Sequence, residues 1–566
     1  MHFDRKVTKA ASVVALISLI ISGSIFASSS FAAVKGNGHH ALLISVDGMH
    51  QADLKWYISA YPNSTFADLV KSGVEFTNAL TPFPSDSFPG MVGQVTGGNP
   101  KSTGIYYDVS YNKELIDPNA SKDVTPSAAF CASAPKGAVI SFDESLDSDM
   151  SKLDAGQGLA LPQDILKMTG KPQTLINPLG LPIDPKSCSR IYPHQYLKVN
   201  TIFEVAKANG LHTAWIDKHA AYEILGGPSG NGIDDLFTPE INSDAGVSGG
   251  DWTKINSLTQ MYDDFKVKAL LNEINGFDHS GKTKAGLPSI FGMNFQSVST
   301  AEKLPLSDGL LGGYDATGTI PGPILQSAMG FVDRELSVLL QALKGAGHVS
   351  DTTIILSAKH GQSPMDLASL KRINDGTITD ALNTAWQSQH AEQVQPLVSF
   401  SLNDDGMLLW FSPGNQTSLA AGFASDYLRN YGSDGTGADG MAKATDSTTA
   451  PIAYTSAGLS TIYAGEAAAK YMGVSITDSR VPDLIGVVQH GVVYTGKTKK
   501  IAEHGGADMQ DRHVPLIISG GGFGHGVNSK QVETIQIAPT ILNLLGLDPK
   551  ALQAVKREGT KALTIK

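Results

Sequence analysis

Four short stretches carry side chains that could act on an ester of phosphoric or sulfuric acid. Asp47 closes the run HALLISVD, and Ser87 lies in FPSDSFPGMVGQVTG. Lys359, His360 and Gly361 follow DTTIILSA, and Glu503-His504-Gly505-Gly506 forms a late turn. Such a hydrolysis needs a nucleophile, positive charge for the developing oxyanion and help for the leaving group. Carboxylates and imidazoles suit a divalent metal, and a cation makes a bound hydroxyl a better nucleophile. Each stretch also has a plainer reading. A strand-end aspartate often caps a helix, and a serine among prolines and glycines often serves a turn. Ser85 and Asp86 are assigned to turn chemistry. The glycines beside His360 and His504 point toward ligand contact, because glycine permits close approach.

The elements around these residues alternate in type. His40 to Val46, LHTAWID, Ser289 to Phe295, Asp351 to Leu356 and Val514 to Ile518 read as short buried strands. Asn200 to Asn209, Ile324 to Leu343 and Ile535 to Leu545 have helical spacing, with Gly210, Gly345 and Gly546 as stops. This order implies an α/β fold, a mainly parallel central sheet with helices on both faces. Ligands gather at the carboxyl ends of such strands. Asp47, Lys218, His219, Lys359 and His360 all follow a strand. Long polar stretches, about 117–196 and 431–450, read as loop insertions in a single domain over 33–566. Tyr106, Tyr107 and Tyr222 read as packing residues.

The net charge of −11 speaks against a nonspecific nucleic-acid binder, and no duplex binding is expected. It leaves open a small phosphate ester, because a metal or a lysine can invert the field inside a cleft. Arg5, Lys6 and Lys9 precede an apolar run from about Ala11 to Phe26 and the small-residue site Ser30-Phe31-Ala32. Residues 1–32 therefore read as a secretory signal, with the mature chain secreted or periplasmic. No later segment is long and apolar enough to span a bilayer. Cys131 and Cys188 are the only cysteines. In an exported chain they could form one disulfide, or remain two thiols, since spacing does not decide.

Taken together, the order S-V-D-G, then F-P-S-D-S-F-P-G-M-x-G-x-V-T-G-x-x-P-x-x-T-G-I, then H-G, E-H-G-G and I-A-P-T-I-L-x-L-L-G resembles the alkaline phosphatase superfamily. The closest branch is the type I phosphodiesterase/nucleotide pyrophosphatase family. The resemblance runs from about Ala41 to Leu547. It implies an alkaline phosphatase-like fold and two zinc ions. Asp47 and His360 would hold one ion, Ser87 would be both ligand and nucleophile, and His504 would belong to the second ion. The departures are specific. Gly90 stands where the family has an asparagine, so on the resemblance one donor to the substrate's oxyanion is missing. Lys359 stands for an aspartate ligand, and Gln296 and Thr300 stand for the Asp and His of P-D-x-x-G-H. Glutamine is a neutral donor, threonine a poor zinc ligand, and an ammonium cannot ligate a cation.

The superfamily's sulfatase branch works with one ion and lysines, and its strand-end G-K-x-H resembles Asp217-Lys218-His219. On that pattern Lys218 and Lys359 would replace a second ion, with His219 near substrate. Met91 stands where sulfatases need arginine. The expected function is an exported, metal-dependent phosphodiesterase or nucleotide pyrophosphatase acting through a Ser87 phospho-enzyme. Its substrate would be a small phosphate ester or nucleotide. The metal would be zinc first, with Mn or Ca as alternatives, as one ion or two. Gln296 is carried as a further ligand. The competing expectations are a one-metal phosphatase or sulfatase-like hydrolase, and an inactive member that binds a phosphorylated or glycan ligand.

Overall fold

The computed structural model describes residues 39–159, 162–247, 250–393, 395–434, 440–441, 452–496, 500–522 and 524–565. The expected signal segment lies outside the described residues, as does most of 431–450.

The centre is an eight-stranded sheet. Its strands are β1 His40–Val46, β2 Gly73–Phe76, β3 Ala214–Ile216, β4 Asp235–Phe237, β5 Ile290–Phe295, β6 Thr352–Ser357, β7 Ile517–Gly520 and β8 Gly526–Asn528. They lie in the order β8-β2-β7-β6-β1-β5-β3-β4. β1 pairs in parallel with β5, Leu43 opposite Gly292, and with β6, Leu43 opposite Ile355. β3 pairs in parallel with β5 and β4. β7 alone runs against its neighbours β6 and β2. The strand expected at Val514 to Ile518 is split into His513–Val514 and Ile517–Gly520. Pro515 lies between the two pieces and has no N–H for a ladder.

β5 and β6 are buried along their whole length, as is β1 beyond His40, which is why their sequences run continuously apolar instead of alternating. The covering helices include α1 Gln51–Ala60, α2 Ser87–Thr96, α3 Asn256–Ile274, α4 Ser297–Lys303, α5 Pro323–Ala346 and α6 Ile537–Leu544. The stop expected at Gly345 does not act. α5 opens with Pro323 in its first turn, passes through Gly345 and ends at Gly347, whose φ of +83° accepts the left-handed cap.

The long polar stretch from 117 to 196 is ordered, with short helical turns and the hairpins Val109–Asn112/Ala138–Ser141 and Ile183–Asp184/Ser189–Arg190. Cys131 and Cys188 are joined in a disulfide across it. A second sheet, Val398–Asn403, Gly406–Phe411, Leu484–Val488 and Leu459–Ala464, is antiparallel throughout and has its own apolar core around Trp386, Phe411 and Leu428.

Candidate active site

Strand ends deliver the polar residues, as the parallel-sheet rule requires. Asp47 follows β1, and its amide is held by Phe295 O at 2.9 Å. Gln296 follows β5, Lys218 lies two residues beyond β3, and His360 three beyond β6. Ser87 opens α2, whose cap is Asp86: one carboxylate oxygen accepts from Phe88 N at 2.8 Å. The hydroxyl thus sits at the positive end of a ten-residue helix.

Four of these side chains converge. Ser87 Oγ lies 3.1 Å from His360 Nε2 and 3.4 Å from Asp47 Oδ2. Lys218 Nζ donates to Ser87 Oγ at 3.2 Å and stands 3.6 Å from Asp47 Oδ2. Gln296 Nε2 donates to Asp47 Oδ2 at 2.5 Å, and Asn294 Nδ2 is 3.4 Å from the same oxygen. Asn294 escaped the sequence reading, although it lies two residues before Gln296 and so shares its face of the strand.

The site carries a mark of a cation. His360 Nδ1 lies 2.9 Å from Gly361 O, a carbonyl that can only accept, so the proton sits on Nδ1. In the neutral ring Nε2 then presents a lone pair. It faces Asp47 Oδ1 at 2.7 Å, and that buried oxygen has no hydrogen-bond donor. Two such atoms so close need a proton on Nε2 or one positive ion between them, and Asp47, Ser87 and His360 could together hold that ion. Burial pushes the Asp47 carboxyl up, but His360, Lys218 and Lys359 outweigh it and hold it well below the usual range. Burial likewise works against the Lys218 ammonium, yet Asp47, Asp217, Asp86 and Asp108 keep it charged.

Among the described residues, the ligands expected for a second ion do not gather beside Ser87. Thr300 Oγ1 is bound to Asn256 Nδ2 at 2.8 Å and lies 3.1 Å from Thr259 and 3.2 Å from Ser297 O, within the packing of α3 and α4. Gln296 turns its amide nitrogen, not an oxygen, to Asp47. His504 lies against His360 with ring centroids 4.2 Å apart and planes tilted by 39°, and its Nδ1 lies 3.4 Å from Tyr107 OH and 3.7 Å from Asp86 Oδ1. Burial, followed by Lys303 and His360, holds the His504 imidazole well below its usual value. Asp404 and Glu503 approach His504, but Lys303 at 2.9 Å and Lys500 already pair with Glu503.

Lys359 is fully buried and is held by Asp217 and Tyr222 instead of by Ser87. Its Nζ donates to Asp217 Oδ1 and to Tyr222 OH, both at 2.9 Å, and lies 4.1 Å from the Tyr222 ring centroid. Burial lowers its pKa to about 8. Asp217 also accepts from Trp215 Nε1 at 3.0 Å, a partner hidden in the run TAWID. Gly90 uses its own N–H inside the helix, on Asp86 O at 2.9 Å. A Cβ there would lie 2.2 Å from Lys359 O, so the position serves close packing of α2 against the end of β6. His219 is buried against Tyr222, ring centroids 5.2 Å apart, and its Nδ1 has no hydrogen-bond partner. Burial, then Lys218 and Lys359, hold that ring well below the usual value.

The pattern type I phosphodiesterase/nucleotide pyrophosphatase matches residues 41–135 and 301–511, more than half of the chain. The chain belongs to this family. None of the curated proteins matches the sequence. Among solved structures, murine ectonucleotide pyrophosphatase/phosphodiesterase 5 in complex with AMP is 14% identical, with a TM-score of 0.51, over 90% of this chain and 96% of that one. Its human counterpart is 13% identical, with a TM-score of 0.50, over 90% and 95%. Wild-type alkaline phosphatase PafA is 12% identical, with a TM-score of 0.55, over 90% and 96%. At these identities the likeness carries the alkaline phosphatase-like fold. Family membership makes the chain a hydrolase of phosphoester bonds.

Proposed function

We propose that this family member is an exported phosphodiesterase that uses Ser87 as nucleophile and one divalent cation instead of two. The observation that supports it most is the convergence of Ser87 Oγ with His360 Nε2, Asp47 Oδ2 and Lys218 Nζ within 3.1–3.4 Å at a helix N-terminus. Ser87 Oγ attacks phosphorus in line, forming the new P–O bond as the bond to the leaving alkoxide breaks. Its hydroxyl proton passes to Asp47 Oδ2, 3.4 Å away, and from there by way of solvent to the departing alkoxide. The Lys218 ammonium stabilises first the forming alkoxide and then a nonbridging phosphoryl oxygen. α2 adds the partial positive charge of its first amides. Water then hydrolyses the seryl phosphate and restores Ser87. A divalent ion, zinc by the family resemblance, would be held by Asp47, Ser87 and His360 and supplies Lewis-acid charge there when bound. Lys359 acts from behind, by holding Asp217 and with it the loop of Lys218.

The disulfide between Cys131 and Cys188 supports export, as does the sequence of residues 1–32. Among the described residues no helix is long and apolar enough to cross a membrane. The ordered stretch from 117 to 196 and the second sheet are proposed to shape the leaving-group side. The altered positions Gln296, Thr300 and Lys359 favour one other reading, a ligand-binding member without turnover. One panel decides between them: a phosphomonoester, a phosphodiester and a sulfate ester, each with Zn, Mn or Ca, on wild type and Ser87→Ala. The hydrolase reading expects diester turnover that falls at least about a thousandfold in Ser87→Ala. Turnover untouched by that change refutes Ser87 as nucleophile, and metal-free protein without turnover establishes the binding reading.

A further inference from the structure

A second polar cluster lies against Gly48 and Gly361, beside Asp47 and His360, made of residues that none of the motifs singled out. His50, Asp53 and Glu302 are at most 2% exposed. His50 Nδ1 is 2.8 Å from Asp53 Oδ2, 3.2 Å from Glu302 Oε1 and 2.8 Å from Tyr314 OH. Tyr314 OH is also 2.9 Å from Asp53 Oδ1 and 3.0 Å from Glu302 Oε1. On the far side of the ring, Nε2 is 2.7 Å from Gln362 O. Gln362 Nε2 closes the circuit on Glu302 Oε2 and, at 3.1 Å, on Ser299 O.

These side chains are of types that bind metals, yet they satisfy one another. Each polar atom named here has a partner at hydrogen-bond length, and Tyr314 OH bridges both carboxylates of the cluster. The charges also balance without an ion. Burial opposes a charged His50, but Glu302 and Asp53 hold it well above its usual value, and burial pushes Glu302 up to about 7.

The cluster ties together three loops that carry the site. His50 is three residues beyond Asp47, Glu302 lies on the helix that follows Gln296, and Gln362 is two residues beyond His360. The approach is so close that it accounts for a glycine in two motifs. A Cβ on Gly48, whose φ is +87°, would lie 2.7 Å from both Gln362 Nε2 and Glu302 Oε2. A Cβ on Gly361 would lie 2.2 Å from Gln510 O and 2.8 Å from His50 Cδ2. The glycines of D-G and H-G are thus needed by the cluster beside the ligands as well as by the ligands themselves.

We propose that His50, Asp53, Glu302 and Tyr314 are positioning residues, a buried hydrogen-bonded knot that fixes the loops of Asp47, Gln296 and His360 against one another. The catalytic consequence rests on the Ser87 reading. Outer-shell partners of this kind are worth about ten- to a hundredfold in activity.

The test uses Tyr314→Phe and Glu302→Gln in the full chain, with steady-state kinetics on a chromogenic phosphodiester and amide exchange read at residues 360–363. We expect kcat to fall about tenfold or more with KM within about twofold, and exchange at 360–363 to rise while that of β1 stays slow. Should Glu302→Gln not fold, Tyr314→Phe, which removes one hydroxyl, decides alone. Wild-type kcat together with protected amides in a folded Tyr314→Phe overturns the proposal. So does a tightly bound ion that is lost in Asp53→Asn, because the cluster would then be a metal site. If wild type shows no Ser87-dependent turnover, the catalytic reading fails, and the exchange measurement still decides whether the knot holds the loop.

Discussion

Gly90→Ala gives the sharpest test of how α2 meets the strand end. Alanine normally stabilises a helix interior over glycine by about 0.5–1 kcal/mol. At Gly90 the added Cβ would lie 2.2 Å from the backbone oxygen of Lys359, where real Cβ contacts are essentially never under 3.0 Å. α2 and the end of β6 must therefore part by at least about 0.8 Å, and neither is a side chain that can rotate away. Overpacking of this kind costs about 1–3 kcal/mol, which leaves a net loss of roughly 0–2.5 kcal/mol, against a gain at an uncrowded helix position. The same displacement moves Lys359 and with it His360, the neighbour of Ser87, so turnover should fall about ten- to a hundredfold. Gly422→Ala is the control. Gly422 is exposed within the helix Ser418–Asn430, and a Cβ there meets nothing within 4 Å. It should gain about 0.5–1 kcal/mol and leave turnover unchanged. Denaturant midpoints and diester kinetics on both variants provide the assay. If Gly90→Ala is as stable as Gly422→Ala, the close approach is wrong, and a donor rather than space is what this position lacks.

Three further outcomes are expected. Lys218→Met should lower turnover at least about a hundredfold with little change in melting temperature, whereas Lys359→Met leaves Asp217 buried without its cation and should cost about 3–5 kcal/mol; the opposite ranking refutes their assigned roles. His279 contacts Asp235 Oδ1 at 2.6 Å and Met168 O at 2.7 Å; burial lowers its pKa, but Asp235 and Met168 outweigh it and leave the folded value above 6.5. Its protonation therefore contributes fully below about pH 6.5 and fades as pH rises through the folded value, so the stability gap between wild type and His279→Gln should shrink as the pH is raised above 6.5 in parallel melts, and a flat gap contradicts this. Removing the Cys131–Cys188 bond as a double serine variant frees a loop of sequence separation 57 and should cost up to about 4 kcal/mol by melting, with an unchanged melt showing that the bridge adds nothing.

Much of the fold was legible in the chain. Continuous apolar runs ending in Asp47, Asp217 or His360 mark buried parallel strands, because only a strand covered on both faces can be apolar at every position. Their order places the polar residues at one edge of a sheet without any coordinates. The motif order likewise singles out Ser87, since a hydroxyl before F-P is local information, whereas its place at the start of α2 came only with the fold. The reversal of β7 was not legible, because an apolar strand reads alike in either direction. The second sheet was hidden as well, since its strands are separated by stretches that resemble loops.

The sequence by itself determined which residues lie near the ends of β1, β3, β5 and β6, because local periodicity and glycine placement are properties of short segments. It also exposed the substitutions Gly90, Gln296, Thr300 and Lys359, which any residue-by-residue reading finds. Only the tertiary structure decided what those substitutions mean. Lysines 218 and 359 look alike at strand ends, yet one reaches Ser87 and the other turns into a buried pair with Asp217, a choice set by contacts about 130–140 residues away along the chain. Gly90 looked like a missing donor and proved to be a point of contact between backbones. The knot of His50, Glu302 and Gln362 has no sequence signature at all, because its members come from the three separate segments that follow β1, β5 and β6 and meet only when the sheet brings those segments together.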